Sequence, residues 1–264
     1  MSYAPASYLQ AVVDLCEAAG RRIMQIYADD FEVERKADNS PLTDADLASH
    51  RLLVRGLREL TPELPILSEE SASIDWEERR QWSRYWLVDP LDGTKEFINR
   101  NGEFTVNVAL IDQHQAILGV VSAPVPQVTW YAATGVGAFR RQQQRAGESI
   151  TTRSCPQPPT IVASRSHRSE RLQQYLSAIG PHEDISCGSS LKFCRIAEGA
   201  ADCYPRLGPT SEWDTAAGQC VVEQAGGKVI IADGSPLQYN AKESILNPEF
   251  LVIGDDQRQW PGLD

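Results

Sequence analysis

From Phe104 to Arg140 four strand-like segments follow one another with no room for a helix between them. They are Phe104–Leu110, Ile117–Val121, Val128–Ala132 and Gly137–Arg140, joined by short polar, Pro- or Gly-bearing links. Links this short join antiparallel neighbours, because a parallel crossover needs a dozen residues or more. Shorter apolar runs, Pro65-Ile66-Leu67 and Tyr85-Trp86-Leu87-Val88, precede them and read as buried strands ending in acids. Two helices come first. One begins near Ser7, where Ser7 and Gln10 fit a capping box, and carries Leu9, Val12, Val13, Cys16, Ala19, Ile23 and Ile26 at helical spacing. The other follows Thr43, with Leu47, Leu53, Val54, Leu57 and Leu60 inward and Pro62 beyond its end. Residues 29–41 between them read as a loop or hairpin.

After Cys155-Pro156-Gln157-Pro158-Pro159 the pattern changes to strand–helix alternation. Strands are expected at 161–163, 202–207, 228–232 and 250–253, and helices at 169–179, 190–200 and 214–225, the last closed by Gly226-Gly227. An α+β half over residues 1–155 and an α/β half over 156–264 are therefore expected to form one compact unit.

A chain of 264 residues that is 42% hydrophobic buries a substantial core. Its net charge of −11 argues against a nucleic-acid polymer or an anionic membrane as partner. A small anionic substrate then needs a positive mediator, and a metal ion serves. The six cysteines form no CxxC pair and no zinc-type set with histidine, and read as reduced thiols. The first residues lack a signal peptide's basic and apolar regions, and no run reaches the ~18 apolar residues of a membrane span. A soluble, cytoplasmic protein is expected.

Trp86-Leu87-Val88-Asp89-Pro90-Leu91-Asp92-Gly93-Thr94 concentrates the chemistry. An apolar strand delivers Asp89 to its tip, Pro90 turns the chain, and Asp92 follows close enough to face the same point. Gly93 lets the backbone approach a ligand, and Thr94 opens a short helix whose free N–H groups suit phosphate. Alone, a D-x-x-D is as well explained by turn chemistry. Ser68-Glu69-Glu70 ends another strand, however, and Glu212-Trp213-Asp214-Thr215-Ala216-Ala217-Gly218 puts an acid at a helix start. Singly these read as a solvated loop and a helix cap. Together they make a set of oxygen ligands for a hard divalent cation.

Glu-Glu, then Asp-Pro-Leu-Asp-Gly-Thr, then Trp-Asp-x-Ala-Ala-Gly, in this order, resembles the inositol monophosphatase superfamily of lithium-sensitive, Mg²⁺-dependent phosphatases, from about Lys36 to Phe250. Within it the 3′(2′),5′-bisphosphate nucleotidase branch is the more similar. Lys95 stands where inositol phosphatases usually have a second threonine. Gly188–Cys194, Tyr204-Pro205-Arg206, Gly208-Pro209-Thr210 and Glu243–Pro248 also match. The resemblance implies a five-layer αβαβα sandwich and hydrolysis of 3′-phosphoadenosine 5′-phosphate to AMP, a step of sulfur metabolism.

It also implies two or three Mg²⁺ ions. Glu69, Asp89 and the Leu91 carbonyl would hold the one that activates water. Asp89, Asp92 and Asp214 would hold the second, and Glu70 would support or reach a third through water. Thr94 and Asp46 resemble the pair that orients the attacking water, and the N–H groups of Gly93 and Thr94 would cradle the scissile phosphate. Glu69, Leu91, Asp92 and Asp214 would thus also border the substrate. Lys192 and Arg206, assisted by Ser189, are candidates for the second phosphate, with surface ion pairs as the alternative. His167 is a candidate nucleotide contact, with a solvated loop histidine favoured. A sugar phosphatase with the same metal site and a non-catalytic nucleotide or metal sensor are the competing readings. Either monomer or homodimer fits, and some relatives associate peripherally with the inner membrane.

Overall fold

The computed structural model describes residues 4–28, 33–35, 41–163 and 169–263. Lys36 and His167 lie outside them, and so does the stretch 164–166 that precedes His167. Helix α1 (Ala6–Ala28) turns Leu9, Val12, Val13, Cys16, Ala19 and Ile23 inward, as the spacing predicts. Its expected capping box does not form. Ser7 already lies inside the helix and donates to the Ala4 carbonyl, while Gln10 reaches Asp14 one turn on. The hairpin is present as β1 (Val33–Arg35) against β2 (Pro41–Thr43). Helix α2 (Asp44–Leu60) is capped by Thr43, with Asp46 as the reciprocal partner.

A seven-stranded sheet runs in sequence order: β3 (Ile66–Ser68), β4 (Arg84–Asp92), β5 (Thr105–Asp112), β6 (Gln115–Ala123), β7 (Val128–Ala133), β8 (Gly137–Gln142) and β9 (Glu148–Ile150). All its pairings are antiparallel except β3 with β4. That pair is parallel because a 3₁₀ turn (Glu69–Ser71) and helix α3 (Trp76–Arg79) carry the chain back between them. Pro90 does not end β4. The strand bulges between Asp89 and Asp92 and resumes pairing with β5 at Thr105. A bulge tolerates a residue with no N–H to donate.

Helix α4 (Thr94–Ile98) follows β4. The five-stranded sheet has the order β11 (Glu183–Ser186), β10 (Thr160–Ala163), β12 (Cys203–Arg206), β14 (Phe250–Ile253), β13 (Lys228–Ile231). The first three strands are parallel, and β14 is antiparallel to both its neighbours. Helices α5 (Glu170–Ile179), α6 (Leu191–Ala197) and α7 (Glu212–Gln224) complete the chain. Strands β9 and β11 escape the sequence pattern because they are short edge strands with mostly exposed residues.

Five layers pack around three apolar cores, the middle one enclosing α6 and α7 between the two sheets, in agreement with the expected αβαβα sandwich. Alternate residues of β4 point to opposite sides, as a pleat requires. Trp86 and Val88 join the core under α1 and α2, while Tyr85 and Leu87 join the one shared with α6 and α7. The second core also takes Val162, Tyr204, Phe250 and Val252 from the five-stranded sheet. The far face of that sheet, with Ile161, Cys203 and Leu251, packs on Leu172, Tyr175 and Leu176 of α5. All six cysteines are free thiols, five of them buried. Among the described residues no helix is long and apolar enough to cross a membrane.

Candidate active site

The bulge that ends β4 and the first turn of α7 meet at one point. Ligand-capable atoms of Asp89, Asp92 and Asp214 all lie within 4.8 Å of one another, with Asp89 buried and the other two partly exposed. Asp214 is not a simple helix cap. Ser211 is the N-cap and Asp214 the third helical residue, whose Oδ2 accepts from the Ser211 amide at 2.9 Å and the Thr210 hydroxyl at 2.6 Å. Glu69 stands outside that tight trio but shares a hydrogen bond with Asp89.

Burial, then the charges of Glu69, Asp92 and Asp214, hold the Asp89 carboxyl well above the usual carboxylate range. Burial and the Asp92 charge push Asp214 up to about 7, against the pull of its Thr210 and Ser211 hydrogen bonds. Crowded carboxylates either keep protons or gather round a cation. Every side-chain donor here is an oxygen, so the set fits a hard divalent ion such as magnesium.

The metal-free protein therefore has a predictable pH response. Folded-state pKa values raised above the unfolded ones mean that the folded chain holds extra protons between about pH 4 and pH 7. Stability is then present in acid and lost as pH rises through that window. In EDTA, Tm is expected to fall by roughly 5 °C from pH 5 to pH 7.5, beyond any change in the magnesium-loaded protein. Equal pH profiles with and without magnesium would contradict the clustering.

Around the carboxylates lies a frame of neutral donors. Asp46 is buried in the first turn of α2, and its Oδ2 accepts from the Thr43 amide at 2.8 Å and the Thr43 hydroxyl at 2.5 Å. Its Oδ1 accepts from the Thr94 hydroxyl at 3.2 Å, which joins the expected pair. Leu91 is buried, with its carbonyl 3.5 Å from the same hydroxyl. Glu70 shares the 3₁₀ turn with Glu69.

Gly93 adopts a left-handed conformation, φ 93° and ψ 46°, at the start of α4. Ser189 is also left-handed, φ 49°. Its hydroxyl lies 2.8 Å from the Asp92 carbonyl and 2.7 Å from the Glu103 carbonyl, and donates to one at a time. Glu103 also accepts from the Gly188 amide at 2.9 Å, pinning this loop beside Asp92-Gly93-Thr94.

The cleft beside Asp92 and Asp214 has a volume of about 150 Å³ and is bordered by Lys95, Ser189, Lys192, Tyr204 and Arg206. Lys192 is 6% exposed, donates to the Ser189 carbonyl at 2.6 Å and lies 5.4 Å from the Tyr204 ring centroid. Arg206 spends Nε on the Gly208 carbonyl at 3.2 Å and an Nη on the Pro209 carbonyl. Among the described residues neither cation takes part in an ion pair; both donate to backbone carbonyls of the cleft wall.

Sequence reasoning missed Asn107 and Ser190. Asn107, buried on β5 opposite Asp89, donates to the Ser190 hydroxyl at 2.8 Å and more distantly to Asp92 Oδ2 at 3.3 Å. The Ser190 hydroxyl lies 2.7 Å from both Asp92 Oδ2 and the Asp214 carbonyl, so it ties the two acid-bearing segments together. An amide inside the apolar run Phe104–Leu110 was the available signal, since buried polar groups need partners. Asn107→Ala is expected to weaken magnesium binding by about tenfold, read as the magnesium concentration for half-maximal rate. An unchanged magnesium requirement would count against this support.

Residues 5–258 match the model of the inositol monophosphatase family, and the chain belongs to that family. The superfamily is metal-dependent, and the acidic cluster is present here. Its relatives include the 3′(2′),5′-bisphosphate nucleotidase CysQ of Salmonella typhimurium (strain LT2) and that of Escherichia coli (strain K12). Each is 52% identical over 246 residues, covering 92% of this chain and 98% of the relative. The crystal structure of CysQ from Bacteroides thetaiotaomicron superposes with a TM-score of 0.83 at 41% identity, over 96% of this chain and 98% of that one. An IMPase from Thermotoga maritima, 23% identical and with a TM-score of 0.77 over 93% and 91% of the two chains, shares the fold.

Proposed function

We propose that this protein is a magnesium-dependent 3′(2′),5′-bisphosphate nucleotidase that hydrolyses 3′-phosphoadenosine 5′-phosphate to AMP and phosphate. The observation that carries the reading is the meeting of Asp89, Asp92 and Asp214 beside Glu69 in a chain 52% identical to CysQ nucleotidases. Glu69, Asp89 and the Leu91 carbonyl would hold one ion, and Asp89, Asp92 and Asp214 a second. Glu70 would support these or serve a third ion through water. Bound magnesium supplies Lewis acidity, which makes water nucleophilic at neutral pH and offsets charge on the phosphate.

The chain's own groups do the rest. The Thr94 hydroxyl donates a hydrogen bond to Asp46, which leaves the oxygen's lone pairs free to accept from the attacking water. Asp46 keeps its orientation because both Thr43 donors hold its other oxygen. The Gly93 and Thr94 amides receive the scissile phosphate. Lys192 answers the second phosphate from inside the cleft wall, with Ser189 and Arg206 holding the wall's shape.

Asp46→Asn is expected to lower kcat by roughly 10–100-fold, the usual loss for a group acting through a neighbour at a metal site. A near-normal rate removes Asp46 from the water-orienting role. The reading itself is tested by product analysis with magnesium and 3′-phosphoadenosine 5′-phosphate. AMP and phosphate in equal amounts, abolished by EDTA, are expected. Release of the 5′-phosphate, or no release, would overturn it.

A further inference from the structure

Arg79 is 4% exposed, yet among the described residues its hydrogen bonds go to uncharged oxygens. It stacks on Trp76 with 4.7 Å from guanidinium carbon to ring centroid. It donates to the Asn240 side-chain carbonyl at 2.7 Å, to the Lys242 carbonyl at 3.3 Å and to the Glu243 carbonyl. Asn240 returns the contact, with its amide donating to the Arg79 carbonyl at 2.5 Å. Burying a guanidinium is costly unless its donors are placed, and here they grip a segment more than 160 residues away in sequence.

That segment, Tyr239 to Asn247, is a strap around the first turn of α7. Tyr239 anchors it through a 2.6 Å hydrogen bond to Gln219. The Asn240 amide donates to Glu212 Oε2 at 2.9 Å, and the Glu212 amide donates to the Ile245 carbonyl at 2.9 Å. Asn247 then closes the loop, donating from its backbone to the Thr210 carbonyl at 2.8 Å and from its side chain to the Ser211 carbonyl at 2.8 Å. Thr210 and Ser211 are the residues that hold Asp214. On the other side, Arg79 ends α3, which follows the 3₁₀ turn carrying Glu69 after four intervening residues.

We propose that Arg79 is a positioning residue of the metal site, clamping the Tyr239–Asn247 strap to the Glu69-bearing segment and so fixing Asp214 relative to Glu69. This rests on the reading of Glu69 and Asp214 as metal ligands. The strap explains how two ligands from distant parts of the chain keep their spacing while crowded carboxylates repel one another.

The test is Mn²⁺ binding to the full chain, followed by paramagnetic resonance of the free ion, in wild type, Arg79→Met, Arg79→Lys and Asn247→Ala, with Tm measured in EDTA. Arg79→Met is expected to weaken Mn²⁺ binding by about 10–100-fold. Arg79→Lys recovers part of the loss, because an ammonium reaches one carbonyl but lacks the fork. Asn247→Ala, which leaves Arg79 intact, is expected to weaken binding too. Combined with Arg79→Lys it adds less than the product of the two, since both cut one strap. Unchanged Mn²⁺ affinity in folded Arg79→Lys and Asn247→Ala overturns the inference alone. Wild-type protein that takes up no Mn²⁺ overturns the ligand reading and the inference together.

Discussion

Asp214→Asn is expected to lower kcat/KM by at least about 100-fold while leaving the fold in place, a larger loss than for a supporting residue. The carboxylate divides its labour. Oδ2 accepts from the Thr210 hydroxyl and the Ser211 amide, a capping role that an asparagine carbonyl can keep. A carboxylate oxygen of Asp214 also belongs to the cluster with Asp89 and Asp92. An asparagine offers an NH₂ there, a donor that cannot ligate a cation. The variant also removes a charge whose pKa is pushed up to about 7 by burial and by Asp92. Metal-free Asp214→Asn should therefore melt no lower than metal-free wild type at pH 8 and should lose most of the rise in Tm that magnesium produces. Wild-type activity would reduce Asp214 to a helix cap.

Gly93→Ala is expected to cost about 100-fold in kcat, the loss that a displacement near 1 Å produces at a reacting centre. A Cβ on Gly93 would sit 2.1 Å from the Ser189 hydroxyl oxygen, at a residue whose φ is +93°. The left-handed conformation alone costs an alanine about 1–2 kcal/mol. Ser189 has little freedom to retreat, because its hydroxyl is held between the carbonyls of Asp92 and Glu103. Relief then comes by moving the 188–190 loop, and with it Ser190, which holds Asp92. The double variant Gly93→Ala with Ser189→Gly should regain part of the rate, since the clashing oxygen is gone. No recovery would contradict the steric account.

The strand order and the acidic corners were legible in the sequence because each follows from local pattern. The succession from Phe104 to Arg140 leaves only antiparallel neighbours, whereas Pro90, read as the strand's end, instead lies in a bulge after which β4 pairs again at Asp92. The parallel pairing of β3 with β4 was not legible, since the short helix α3 that returns the chain has too few residues for a periodic signal. The Ser7–Gln10 box failed because helix α1 starts before Ser7, so its hydroxyl bonds backward to Ala4. The clustered acids Asp89, Asp92 and Asp214 could be read from motifs, but their supports could not. Asn107, Ser190 and Arg79 act through contacts across long stretches of chain, which no window of sequence contains.

Phosphate release with magnesium from 3′-phosphoadenosine 5′-phosphate and from inositol 1-phosphate, measured side by side, tests the central claim most directly. The account predicts a kcat/KM at least about tenfold higher for the nucleotide, the margin expected when a buried cation such as Lys192 meets a phosphate that the sugar ester lacks. Equal or faster hydrolysis of inositol 1-phosphate would keep the carboxylate site but contradict the nucleotidase assignment.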